Sequence, residues 1–232
     1  MRAQHERTAQ ALKMTRTDGE PFSGWDGRAL GREDTPQPDS RYGYGRHPPR
    51  RTRPTANQGK ARIPPSRRPA TLGGHRPALL AGHDTQADGT ACRTELSEHP
   101  NQPVVSTNPV LRLQPQLPDS RWPSLDGAPE KVAATTTDRV ALCQEYVERA
   151  TPAFLGIPAP AVTQRTTVHG DLYGTSLTAP ELRLLDWEAR GQGPLGHDRA
   201  TLYAYSLLRP DAADRIPFAS TVSWSTHLSS SR

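Results

Sequence analysis

Two short apolar runs constrain this chain more than anything else in it. Thr166, Thr167 and Val168 are β-branched and lead into His169-Gly170-Asp171-Leu172. Residues 182–185 are mostly leucine and lead into Asp186-Trp187-Glu188. Gly174, Thr175 and Pro180 lie between as turn material, so the simplest geometry is a strand, a loop and a returning strand. That geometry predicts Asp171 and Asp186 on one side of a hairpin. Two carboxylates held close by rigid backbone suit divalent-metal binding or general-base work.

The flanking sequence predicts helices on both sides. Thr137-Asp138 offers an N-cap and a first-turn acid, and Val140, Cys143, Val147 and Ala150 recur at helical spacing, with Leu142 and Tyr146 on an adjoining stripe. This predicts an amphipathic helix ending before Pro152, with order beginning near Pro129. Phe154, Leu155, Ile157 and Val162 form a proline-broken connection into the hairpin. After the glycine-rich residues 191–196, a second helix is predicted from Asp198 through Ala200, Leu202, Tyr203, Tyr205, Leu207 and Leu208, stopping at Pro210. Asp211 to Asp214 begins a further turn of helix, and the serine-rich residues 220–232 are expected to fray. The expected interior is Leu142, Val147, Phe154, Val168, Leu184, Leu185, Trp187 and Leu202.

The front half reads differently. Fifteen of the 24 prolines fall in residues 1–120, which also carry 18 Lys+Arg against 12 Asp+Glu; residues 121–232 carry 11 against 12. Hydrophobic residues are only 33% of the chain, against roughly 45–50% apolar usage in globular proteins, a benchmark that also counts glycine. Residues 8–14 are compatible with a marginal helix. From Pro21 to Pro118 no period of 3.6 or 2 is sustained. Such sequence buries too little apolar surface to offset roughly 1–2 kcal/mol per residue of backbone entropy. The expectation is a basic, largely disordered region over residues 1–120, an ordered part over 121–215 and a flexible tail over 216–232.

The arginine-rich stretches 41–51 and 62–68 admit three readings. Arginine, glycine and tyrosine together can bind single-stranded nucleic acid, although Glu33, Asp34 and Asp39 interrupt the basic run and no nucleic-acid-binding motif is present. A merely solvated segment is the second. The third is an unintended reading frame, since three lysines against 26 arginines is the skew that GC-rich codons supply. Cys92 and Cys143 are expected to be unpaired thiols of a reducing cytoplasm. Neither a signal peptide nor a run approaching the roughly 20 apolar residues of a membrane span is visible. His75, His83 and His197 have no partners at zinc-ligand spacing.

The order helix, strand, His169-Gly170-Asp171, apolar run, Asp186-Trp187-Glu188, Gly193-Pro194, Asp198, helix resembles the C-terminal lobe of the aminoglycoside phosphotransferase family, kin of choline kinases and of the protein-kinase-like fold. The resemblance covers about residues 130–210. It implies an α+β fold, a partial kinase-like C-terminal lobe, and ATP-dependent phosphorylation of a hydroxyl on a small molecule, with ATP and Mg²⁺ as cofactors. Phosphoryl transfer asks a protein mainly for positioning and charge neutralisation. By the resemblance, Asp171 orients or deprotonates the acceptor hydroxyl, His169 supports the catalytic loop, and Asp186 holds Mg²⁺. Asp198 anchors the loop backbone and Trp187 packs beneath the metal site. Ser176 stands where the family has the asparagine that is its second metal-side ligand; a serine hydroxyl can ligate Mg²⁺ but is shorter and lacks the amide carbonyl. The family's N-terminal sheet, with its phosphate lysine, finds no counterpart in the pattern: Lys13 and Lys60 are the only lysines before residue 120, and neither sits in an apolar run. The resulting expectation is a truncated or degenerate phosphotransferase, weakly active or inactive by itself. A basic nucleic-acid-binding protein with a small folded anchor, or a gene-fragment product without function, are the alternatives.

Overall fold

The computed structural model describes residues 2–16, 22–23, 29–31, 34–36, 52–60, 75–87 and 90–216. These divide into two compact units, one comprising the described residues up to 60 together with Arg76–Gln102, the other His75 together with residues 103–216. The arginine-rich stretches 41–51 and 62–68 and the serine-rich 220–232 lie outside the described residues, as does the reading of them. Among the described residues, no helix is long and apolar enough to cross a membrane.

The first unit is a helix and an antiparallel sheet. Helix α1 (Arg2–Ala11) is followed by β1 (Met14–Arg16), β2 (Phe22–Ser23), β3 (Ala29–Gly31), β4 (Asp34–Pro36), β5 (Thr52–Lys60), β6 (Leu79–Ala87) and β7 (Thr90–Glu98). The three nine-residue strands run β6-β7-β5, with Ala87 paired to Thr90 and Lys60 also paired to Thr90 on its other side. The far edge of β5 is shared by β4, at Thr52, and β3, at Thr55 to Asn57. Strand β7 has the period-2 logic of a half-buried strand at its C-terminal end, where Thr94 and Leu96 are 1% and 0% exposed. Residues 1–120 were expected to be largely disordered; the described segments among them carry these regular elements. A mostly polar strand is held by its ladder of backbone hydrogen bonds, which leaves little trace in an apolar pattern.

The second unit combines short helices with one pair of strands. Helices α2 (Arg121–Asp126) and α3 (Ala128–Ala133) precede α4 (Gln144–Leu155); a short hairpin of β8 (Arg165–Val168) and β9 (Gly191–Pro194) follows, then α5 (His197–Ser206) and α6 (Pro210–Ala213). The core collects Leu125, Ala128, Val132, Leu172, Leu177, Leu182, Leu184, Leu202 and Ile216, with Trp122, Trp187 and Tyr203 packed against it. Arg199, 9% exposed, ties α5 back to the front of the unit: its guanidinium bonds the Asp126 carbonyl at 2.8 Å and the carboxylates of Asp126 and Glu130.

Three local expectations are corrected. The predicted helix from Thr137 begins instead at Gln144, because residues 139–142 are drawn onto β9: Gln192 donates to Arg139 O at 2.6 Å and accepts from Ala141 N at 3.0 Å. The helix then runs past Pro152, which forfeits one intrahelical bond near the end, and closes at Gly156 in the left-handed region (φ 67°). No residue of α4 is buried, and Phe154, expected inside, is 82% exposed.

The second correction concerns the hairpin. The partner of β8 is β9, with Val168 opposite Gly191 and Thr166 opposite Gly193. A side chain at Gly193 would press its Cβ to 2.8 Å from Val168 Cγ2. Residues 182–185 form no regular strand; they lie against the segment after the loop, through an antiparallel bridge of Leu177 with Leu184 and a 2.8 Å bond from Leu185 N to Ser176 O. Third, order in this unit extends upstream of Pro129, to Val104 opposite Thr178 and to α2.

Candidate active site

Strand β8 ends by delivering His169 into the core and Gly170 into a tight bend. Asp198, the second residue of α5 and only 3% exposed, accepts from both backbones: His169 N–H at 2.7 Å and Gly170 N–H at 3.0 Å. A carboxylate between two amides both closes the bend and complements the helix N-terminus. Gly170 has φ 96°, and a Cβ there would lie 2.7 Å from Ala189 O, so the bend requires glycine. The His197 ring donates from Nε2 to Gly170 O at 3.2 Å.

His169 is fully buried and donates from Nε2 to Leu185 O at 2.8 Å, which places the proton on that nitrogen. Its ring meets Trp187 edge-on at 4.7 Å, and Trp187 Nε1–H donates to Leu184 O at 2.7 Å. The loop bearing Asp171 and the turn bearing Asp186 are thus bound together by one imidazole. Asp186 is exposed and holds φ 60°, ψ 63°, a left-handed conformation that aspartate tolerates better than most side chains. Its carboxylate precedes the short 3₁₀ turn Trp187–Ala189.

Ser176 does not present its hydroxyl outward. It is 1% exposed, accepts from Tyr173 N–H at 3.1 Å, and lies 2.7 Å from Asp171 O and 2.9 Å from Tyr173 O, either of which its proton can serve. Every one of these partners is loop backbone.

The electrostatics identify a third acid. Burial, reinforced by the Asp186 charge, raises the Asp171 carboxyl above its ordinary range, with His197 acting in the opposite direction. Glu188 is pushed up to about 7, first by burial and then by Asp186 and Asp171, with Arg139 opposing. The Tyr173 phenol is pushed up to about 12 by burial and the same two aspartates. Asp171, Asp186 and Glu188 therefore share one negative field. Glu188 was visible in the Asp186-Trp187-Glu188 run but had no role in the sequence reading; its place two residues after Asp186 was the available signal.

The donor set is all carboxylate oxygen, which suits a hard cation such as Mg²⁺ that completes its shell with water and substrate phosphates. Among the described residues, no three His, Cys, Asp or Glu side chains gather into a closed metal-holding group. An open site of one or two carboxylates is what the residues offer.

No family model matches the chain, and no curated protein matches it. Solved structures do. One is the amicoumacin kinase hAmiN in complex with AMP-PNP, Ca²⁺ and Ami, at 11% sequence identity and a TM-score of 0.50, the match covering 86% of this chain and 68% of that one. At that identity the likeness speaks for architecture alone: the chain has a kinase-like fold.

Proposed function

We propose that the protein is an ATP-dependent phosphotransferase acting on a hydroxyl of a small molecule, and that its turnover is low. The observation that carries this reading is the brace of Asp198 on the His169–Gly170 backbone, which fixes a half-buried Asp171 in the field of Asp186. In this reading Asp171 accepts a hydrogen bond from the acceptor hydroxyl and orients its oxygen, its raised proton affinity suiting it to take the proton as that oxygen bonds to the γ-phosphorus of ATP and ADP leaves. Asp186 holds Mg²⁺ against the nucleotide phosphates. The metal supplies neutralisation of phosphate charge. Glu188 enlarges the negative field that draws the cation in, and His169 holds the two aspartate-bearing segments at a fixed separation. The low turnover is assigned to Ser176, whose hydroxyl is engaged by the loop backbone and would not be free to help hold the metal.

The test uses the full chain with ATP labelled on the γ-phosphate, Mg²⁺ and a panel of polyhydroxylated small molecules. Acceptor-dependent transfer is expected, falling at least about 100-fold in Asp171→Asn and requiring more Mg²⁺ in Asp186→Asn. A folded wild-type chain that binds no nucleotide in the presence of Mg²⁺ sinks the proposal.

A further inference from the structure

On elements other than those of the acidic site, the second unit contains a cavity of about 340 Å³ whose lining includes His75, Arg121, Ser124, Pro180, Glu181 and Leu182. That volume lies at the lower end of the range for small-molecule sites, roughly 300–1,000 Å³. Its polar wall is out of balance. Arg121 is 5% exposed, yet among the described residues only Nη2 has a hydrogen-bond partner, the Thr178 carbonyl, and Nε and Nη1 are buried without one. Buried polar groups are normally satisfied, and a buried guanidinium normally meets an anion.

The surroundings add positive charge. Lys131 Nζ donates to His75 Nε2 at 2.6 Å, and His75 Nδ1 is a further buried atom without a hydrogen bond. Burial first, then the charges of Lys131, Arg121 and Arg183, lower the proton affinity of His75; the Leu182 backbone acts against them. Because Nε2 accepts from Lys131, the ring proton of His75 sits on Nδ1. Burial brings Arg121 down to about 10, against an upward pull from Glu181, so the guanidinium stays charged at neutral pH. The one carboxylate on the lining, Glu181, is itself engaged with Arg183 at 3.0 Å and is 59% exposed. Pro180 and Leu182 supply an apolar wall beside the Arg121 guanidinium.

We propose that this cavity binds a small oxyanion, a phosphate or carboxylate group carried on a compact apolar body, with the group meeting Arg121 and the body resting on Pro180 and Leu182. Planar, forked donors are the geometry that recognises such groups. The site does not depend on the phosphotransferase reading, and its test reads binding without any turnover.

The experiment titrates the full chain with inorganic phosphate, phenyl phosphate and benzoate, each against sodium chloride of matched ionic strength, following heat and the Arg side-chain N–H signals. Saturable binding is expected, with phenyl phosphate or benzoate tighter than inorganic phosphate; their order distinguishes a phosphate from a carboxylate site. Arg121→Gln should weaken the preferred probe at least about tenfold. Because that change removes a buried charge and can disturb folding, Ser124→Glu serves as the second variant: at an exposed position on the lining, it introduces a carboxylate that competes for Arg121, and it should abolish binding in a folded chain. Absence of saturable binding in the folded wild type, or undiminished binding in Ser124→Glu, overturns the proposal.

Discussion

The brace formed by Asp198 is the most direct quantity to test. Its carboxylate receives two buried backbone N–H bonds, at 2.7 and 3.0 Å. A hydrogen bond to a charged group contributes about 1.5–3 kcal/mol net, and an orphaned buried donor costs about 1–3 kcal/mol. Asp198→Ala removes both acceptors and orphans both donors, so a loss of about 4 kcal/mol is expected. Asp198→Asn keeps one acceptor and turns an NH₂ toward the other amide, for a loss of about 2 kcal/mol. Against a typical domain stability of about 5–15 kcal/mol, the alanine variant should be near the edge of folding. Urea unfolding followed by far-UV circular dichroism measures the global change. Amide hydrogen exchange at His169 and Gly170 measures the local one, and 4 kcal/mol corresponds to roughly a thousandfold faster opening. A variant within about 0.5 kcal/mol of wild type, the scale of an ordinary surface change, with both amides still protected, would refute the reasoning.

Three other outcomes follow from the same geometry. Glu188 and Asp171 have proton affinities raised on folding, so the folded state holds their protons more tightly than the unfolded chain does. The destabilisation from Glu188 is absent below about 4.5, builds as pH rises to about 7 and is complete above it. The full displacement is worth about 3 kcal/mol, but Glu188 is partly exposed, and solvent screening reduces it to about 1 kcal/mol. Melting temperature should fall from pH 5 to pH 8, and the slope should flatten in Glu188→Gln; an unchanged slope would remove Glu188 from the field. Ser176→Ala should cost about 1–2 kcal/mol, as expected for a lost backbone-bridging hydroxyl, while leaving Mg²⁺ affinity unchanged by calorimetry; the reverse pattern would return Ser176 to the metal. Gly170→Ala must hold φ 96° with a Cβ 2.7 Å from Ala189 O, and should destabilise by about 3 kcal/mol in a denaturant melt; a loss under about 1 kcal/mol would show that the bend can relax.

What the sequence disclosed depended on the kind of force holding each piece. Val168, Leu184, Leu185 and Leu202 are inside as expected, because a leucine at a core period has few other places to go. The last helices also fall close to their predicted limits, bounded by Gly196 and Pro210. Pairing partners were not legible. Leu182 to Leu185 looked like the return strand because it is apolar, whereas the true partner of β8 is Gly191 to Pro194, selected by the absence of side chains where the backbones meet. The same reasoning misplaced α4: Val140 has helical spacing but is captured by β9. In the first unit the apolar period failed, yet Asp88-Gly89, between the nine-residue strands β6 and β7, is the dipeptide preferred in two-residue hairpins. In the candidate site, motif order singled out Asp171, Asp186 and Asp198, whereas the field around Glu188 and the inward-facing Ser176 hydroxyl needed three dimensions.

Strand pairing has a consequence for how the two aspartates are kept apart. Asp171 follows β8, whose register is set against β9; Asp186 follows a run that pairs with neither strand. The two segments are joined through the Leu177–Leu184 bridge, the Leu185 N–H bond to Ser176 O and the His169 bond to Leu185 O. The spacing between the carboxylates is therefore set by these links, with His169 the one made by a side chain of the loop itself. A side chain shorter than imidazole at position 169 would let the two halves of the site drift while each kept its own local shape. Such a chain would retain every acidic group and lose the gap into which a cation and a phosphate must fit.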